Sequence, residues 1–197
     1  MITNPIPRVS NPKQYRAIGI VFGSYKPFET NTLNKGYIHD ENGFQINVVV
    51  LGKVLPLLRK HINLEKKYCW IVYPRNKNSD NLHLQISGVW DPINFAVRSP
   101  NYIDHLYKSL NSLNLKDNYF SIRGKLIFIN ISEKELIIKI FPSKLSKNSK
   151  YKSFKIMVKG VIPMNFINSF VSLEVTRKEN TLLMDNYEII EEKLLEN

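Results

Sequence analysis

Apolar and polar residues alternate in short runs along most of this chain, the period-two pattern of half-buried strands. Residues 16–25 (RAIGIVFGSY) read as a strand carrying Gly19 and Gly23, which suits a bend or bulge, and Lys26-Pro27 is expected to end it. Tyr37-Ile38 and residues 44–51 (FQINVVVL) flank His39, Asp40, Glu41, Asn42 and Gly43, where Asn-Gly predicts a hairpin. From 53 to 64 the period becomes helical. Val54, Leu55, Leu58 and Ile62 form the apolar stripe, Pro56 fits only the first turn, and Arg59 and Lys60 face outward. Residues 69–73 and 82–90 return to the strand pattern around a polar loop, 74–81.

Beyond Asp91-Pro92 the sequence predicts a second helix, with Ser99 as N-cap, Pro100 in its first position, and Ile103, Leu106, Tyr107 and Leu110 at helical spacing. Five more strands follow Asp117-Asn118, at 119–131, 135–141, 154–162, 171–177 and 181–190, with tight turns at 132–134 and 178–180. Residues 163–170 leave room for only a short helix. A faint repeat links the halves: Ile71-Val72-Tyr73-Pro74 leads to a strand ending Gly88-Val89, and Lys139-Ile140-Phe141-Pro142 leads to one ending Gly160-Val161. The end of the chain, 185–197, carries a net −4 with Ile189, Ile190, Leu194 and Leu195, a composition that suits a short amphipathic helix. Packed on its own barrel it is structural. Free, it is an acidic tail that competes with nucleic acid.

The order strand, strand, strand, helix, strand, strand over residues 16–90 resembles the OB-fold, a five-stranded barrel with its helix between strands three and four. The expected fold is therefore mostly β with short helices, as two tandem OB-like barrels. The expected organisation is an extended lead-in (1–14), a first barrel (15–92), a helical linker (93–117), a second barrel (118–190) and an acidic tail (191–197). Residues 16–25, 44–59 and 70–92 also resemble a family of small cyanobacterial proteins without a settled activity. That resemblance implies a cytoplasmic cyanobacterial setting and supplies no functional residues.

Charge sharpens the picture. Of a net +11, residues 53–77 carry +6 (Lys53, Arg59, Lys60, Lys66, Lys67, Arg75 and Lys77 against Glu65), and residues 142–159 carry six lysines and no acid. Pooled positive charge on a nearly neutral remainder is the footprint of a polyanion binder. Other classes lack support. The single cysteine, Cys69, excludes an internal disulfide and a cysteine zinc site, and between Tyr68 and Trp70 it reads as a buried thiol. His39, His61, His83 and His105 share no metal-ligand spacing. There is no P-loop, nucleophile elbow or kinase signature, and Asp40 and Glu41 sit where a turn wants carboxylates. No apolar run approaches a membrane span, and the first 14 residues lack a signal peptide's apolar core. A non-enzyme without cofactor or metal, in the cytoplasm, is expected.

The expected function is binding of RNA or single-stranded DNA with low sequence specificity. In 142–159, Lys144, Lys147, Lys150, Lys152 and Lys155 are interleaved with Tyr151 and Phe154, the mixture that lets cations follow phosphates while rings stack on bases. Lysine without arginine argues against bidentate base reading. Arg59, Lys60, Arg75 and Lys77 form a second set. Trp70 and Tyr73 fall on opposite faces of their strand, so Trp70 is assigned to the core and Tyr73 to the surface, where it joins Tyr151 and Phe154 as a candidate stacking residue. Trp90 closes the core. The alternative is a scaffold whose barrels bind an acidic protein partner.

Overall fold

The computed structural model describes residues 3–76, 82–91, 101–141 and 153–192. The chain divides into two compact units, one of Met1–Pro7, Gly19–Pro74 and His83–Tyr119, the other of Arg8–Ile18, Arg75–Leu82 and Phe120–Asn197.

The first unit is built on β1 (Arg16–Glu29), β2 (Thr32–His39), β3 (Gln45–Val50), α1 (Leu55–Lys60), β4 (Lys67–Asn76), β5 (Leu82–Trp90) and α2 (Tyr102–Ser112), except that the start of β1 to Ile18, the end of β4 from Arg75 and Leu82 of β5 belong to the second. Its strands close in the order β1-β2-β3-β5-β4-β1. β3 and β5 run parallel, with Val48 opposite Leu84 and Val50 opposite Ile86, while β1 pairs antiparallel with β2 and β4. That ring, with its helix between β3 and β4, is an OB barrel. Val21, Tyr25, Ile38, Ile46, Val48, Trp70, Leu84 and Ile86 fill it, and the Trp70 indole N–H donates to the Gly23 carbonyl at 2.9 Å.

β1 closes the ring because it bends from one partner to the other, pairing with β4 from Gly19 to Ser24 and with β2 from Ser24 to Glu29. The bend needs a glycine at position 23, because a Cβ there would lie 2.2 Å from the His39 carbonyl oxygen. Lys26-Pro27 does not end the strand as expected. Pro27 pairs opposite Gly36 beside a register irregularity, the setting in which a strand tolerates a residue without an N–H.

α1 stops at Lys60, short of the expected Leu64, although Ile62 is buried as the stripe predicts. The Asn63 side chain accepts the Glu65 N–H at 3.0 Å, a local bond that competes with helix, and the Asn63 N–H donates to the Tyr68 hydroxyl at 3.0 Å. α2 starts after Asn101; Ser99 and Pro100 lie outside the described residues. It packs within the first unit. Leu106 and Leu110 are buried, the Tyr107 ring stacks on Phe22 at 4.7 Å, and its hydroxyl donates to the Glu41 carboxylate.

The second unit contains β6 (Tyr119–Asn130), β7 (Glu135–Ile140), β8 (Phe154–Lys159), β9 (Phe170–Lys178) and β10 (Thr181–Glu191), with a 3-10 turn, Met164–Phe166, before β9. The ring order β6-β7-β8-β10-β9-β6, with β8 parallel to β10, repeats the first barrel's topology. Phe120, Ile122, Leu126, Leu136, Ile138, Ile156, Val158 and Leu173 form its core. Lys134 (φ 52°) and Glu179 (φ 53°) make the left-handed corners of its two tight turns. The strand expected at 181–190 runs from Thr181 to Glu191, and the amphipathic helix that the composition of 185–197 suits does not form over 185–191, because β10 pairs with β9 through to Glu191 opposite Phe170. Partnership with a neighbouring edge overrides a weak local propensity. The lead-in is fastened here as well: the Tyr15 ring meets Phe141 and Phe170 edge-on at 5.1 and 5.0 Å, and Arg123 donates to the Pro12 carbonyl at 2.6 Å.

Candidate nucleic-acid interface

In an OB barrel the outer face of strands two and three, with the loops that border it, is where a strand of nucleic acid lies. In the second unit those strands are β7 and β8, flanked by β6. Leu126, Leu136, Ile138, Ile156 and Val158 point into the core, so the residues between them point outward. Register then fixes three outward rows. Lys125 lies opposite Lys139 and Lys139 opposite Lys155; Phe128 opposite Ile137 and Ile137 opposite Met157; Asn130 opposite Glu135 and Glu135 opposite Lys159. The third row satisfies itself, with the Lys159 ammonium 2.7 Å from the Glu135 carboxylate. The first does not. Three like charges in register repel across a sheet, and a bridging anion offsets that repulsion. Beside them Phe128 is 43% exposed, and the Lys139 ammonium sits 4.8 Å from the Phe141 ring centre. At one end of this face Asn76, Leu82, Met157, Lys159 and Thr181 line a cavity of about 150 Å³.

The corresponding face of the first unit has different chemistry. Tyr37 on β2 lies between Phe28, 5.8 Å away and 57% exposed, and His39, 4.8 Å away, so three rings form a row. Lys26 is opposite Tyr37 on one side and Asn47 opposite it on the other; Ser24 and Gln45 stand in the same relation to His39. Lys26, Lys35, Gln45 and Asn47 are exposed.

The residues singled out from sequence are distributed between the units. Arg59 and Lys60 are exposed at the end of α1 in the first unit. Tyr73 is half-buried and Trp70 fully buried, on opposite faces of β4 as their spacing requires. Arg75, Phe154 and Lys155 belong to the second unit. The Arg75 guanidinium lies over the Phe154 ring, so one ring face is already taken. Lys155 stands in the lysine row. Lys77, Lys144, Lys147, Lys150, Tyr151 and Lys152 lie outside the described residues. Sequence reasoning missed Lys125, Lys139 and Phe128 on one barrel and Phe28, Tyr37 and His39 on the other. Counting charge along the chain does not find a row assembled across three strands. Outward parity on each strand was the available signal, and it becomes a site only once register is known.

Burial, and then the negative charge of Asp117, push the Cys69 thiol well up, which keeps it protonated and inert. Asp40 accepts the Asn42 and Phe44 N–H groups at 3.0 and 2.9 Å, so its carboxylate builds the turn. Among the described residues no group of three His, Cys, Asp or Glu is placed to hold a metal ion, and no helix is long and apolar enough to cross a membrane.

Comparison with protein families agrees with both barrels. Residues 17–97 match the family described as PatR RNA-binding protein, N-terminal OB-fold domain, and residues 122–191 match the cyanobacterial OB-fold-like RNA-binding domain, C-terminal. Curated proteins give no match. Two matched domains in tandem cover most of the sequence, and the chain belongs to this cyanobacterial OB-fold family.

Proposed function

We propose that this protein binds single-stranded nucleic acid, RNA before single-stranded DNA, without catalysing a reaction on it and with low sequence specificity. The observation that carries the reading is the Lys125, Lys139 and Lys155 row on the outer face of an OB barrel. Matches to two domains described as RNA-binding support it and favour RNA. Lysine ammonium groups neutralise phosphates without reading base edges, while Phe128 offers a ring that accepts any base. Lys144, Lys147, Lys150, Lys152 and Tyr151 extend the same binding set, with Arg59, Lys60, Tyr73, Arg75 and Lys77 as a further set.

Fluorescence anisotropy with matched RNA and DNA oligonucleotides at two salt concentrations tests this. Affinity should fall with salt at a log–log slope of about −0.7 per neutralised phosphate. No binding to either oligonucleotide at low salt would end the proposal. A protein partner with an acidic surface is the second reading, favoured by exposed Ile131 (56%), Val161 (46%) and Met164 (49%) in the second unit. RNase treatment before a pull-down separates the two, since only RNA-bridged partners disappear.

A further inference from the structure

We infer that the two barrels take different parts of the same ligand: the first reads bases, and the second holds backbone without reading. The inference rests on the nucleic-acid reading above and adds a division of labour to it.

On the first barrel the ring row and the amides are in register. Asn47 is directly opposite Tyr37, and Gln45 is directly opposite His39. Directly opposed residues on one face have Cβ atoms about 5 Å apart. A base stacked on Tyr37 therefore presents its edge within reach of the Asn47 amide, and one stacked on His39 within reach of Gln45. A carboxamide carries both a donor and an acceptor, and splayed single-stranded bases are recognised by hydrogen bonds to their edges. Stacking next to a matched amide is the arrangement that gives a base preference. Lys26 and Lys35 border the row and can hold the connecting phosphates.

On the second barrel the outward rows contain nothing comparable. The lysine row has donors only and no guanidinium fork. The neighbouring row, Phe128, Ile137 and Met157, is apolar and has no group to tell one base from another. In the last row Glu135 and Lys159 are occupied with each other, and the Asn130 amide oxygen already accepts from the Ser132 hydroxyl at 2.7 Å and the Glu133 N–H at 3.2 Å. This face supplies charge and one sequence-tolerant stacking ring.

The test uses the full chain and three labelled ribonucleotide homopolymers, of adenylate, uridylate and cytidylate, followed by anisotropy over a salt series. Wild type should bind all three with a several-fold preference among them. Gln45→Ala with Asn47→Ala should reduce that preference to within about twofold and leave the salt slope unchanged. Lys125→Gln, Lys139→Gln and Lys155→Gln together, which keep the side-chain stems, should weaken all three homopolymers by a common factor. The slope should then shrink by about 0.7 for each phosphate no longer neutralised. Thermal melting of both variants checks that the barrels remain folded. Binding without base preference, a preference that survives removal of both amides, or one that changes when the lysines go, would overturn the division of labour alone. Failure of wild type to bind at low salt would instead remove the nucleic-acid reading beneath it.

Discussion

The guanidinium carbon of Arg75 lies 3.8 Å from the centre of the Phe154 ring, joining the end of β4 to the start of β8. In sequence the two belong to separate basic segments, and each reads as an independent ligand-binding residue. In the folded chain the cation and the ring face use one another. Both residues are half-buried, where such an interaction contributes roughly 0.5–2 kcal/mol. A double-mutant cycle with Arg75→Met and Phe154→Leu, followed by urea unfolding, should give a coupling energy of about that size. Additive effects would show that the two act separately.

Gly23→Ala should be among the most damaging single-methyl changes in the protein. The new Cβ would meet the His39 carbonyl oxygen at 2.2 Å and the Ile38 side chain at 2.6 Å, and backbone cannot step aside without opening the β1–β2 seam. A destabilisation on the order of 3 kcal/mol or more, or failure to fold, is expected. Gly88→Ala is the control, since its nearest neighbour is Ile71 Cδ1 at 3.8 Å, and a change within about 1 kcal/mol should follow. Equal melting temperatures for the two variants would refute the close-approach argument.

How much of this was legible in the sequence depends on whether the deciding interaction was local. Strand alternation, the Asn42-Gly43 turn and the apolar stripe through Leu58 depend on near neighbours, and both barrels followed from them. Pro27 departs from expectation, and at 185–191 the expected strand prevails over the amphipathic helix, because a distant strand decides each: β2 carries β1 past the proline, and β9 holds β10 extended. The site was legible only in class. Pooled charge pointed to a polyanion, but Lys139 becomes a functional candidate through Lys125 and Lys155, and Tyr37 through Asn47, each on a different strand. Periodicity within a strand carries no information about that register.

Alkali should destabilise the fold through the buried phenol of Tyr25 and the half-buried one of Tyr107. Burial pushes the Tyr25 hydroxyl up to about 12, and it donates to the Leu33 carbonyl at 2.9 Å. Burial, together with the hydrogen bond and charge of Glu41, drives Tyr107 up as well. Below pH 10 the folded and unfolded chains both hold these protons. Between 10 and about 12 only the folded chain holds the Tyr25 proton, so stability is complete below 10 and declines as pH rises through that window. For Tyr25 the decline amounts to about 2–3 kcal/mol. Urea midpoints from pH 9 to 12 should fall steeply in wild type and less steeply in Tyr25→Phe. Parallel slopes would remove Tyr25 as the cause.

Lys147, Lys150 and Lys152 provide the last test, one in which affinity and stability should separate. They alternate with Ser146, Ser149 and Ser153, and no acid stands between residues 142 and 159. With few apolar residues to bury, this run has little to contribute to a core, and exposed lysines usually change stability by no more than about 0.5 kcal/mol. If they extend the binding set that begins at Lys155, changing all three to alanine should lower affinity for single-stranded RNA. The salt slope should fall by about 0.7 for each phosphate left without its cation, while the urea midpoint stays where it was. An unchanged affinity would make the run a solvated connector between β7 and β8. A lower midpoint with unchanged affinity would show that the lysines pair within the protein, with the acidic residues at the end of the chain as the first partners to examine by charge reversal at Glu192 and Glu196.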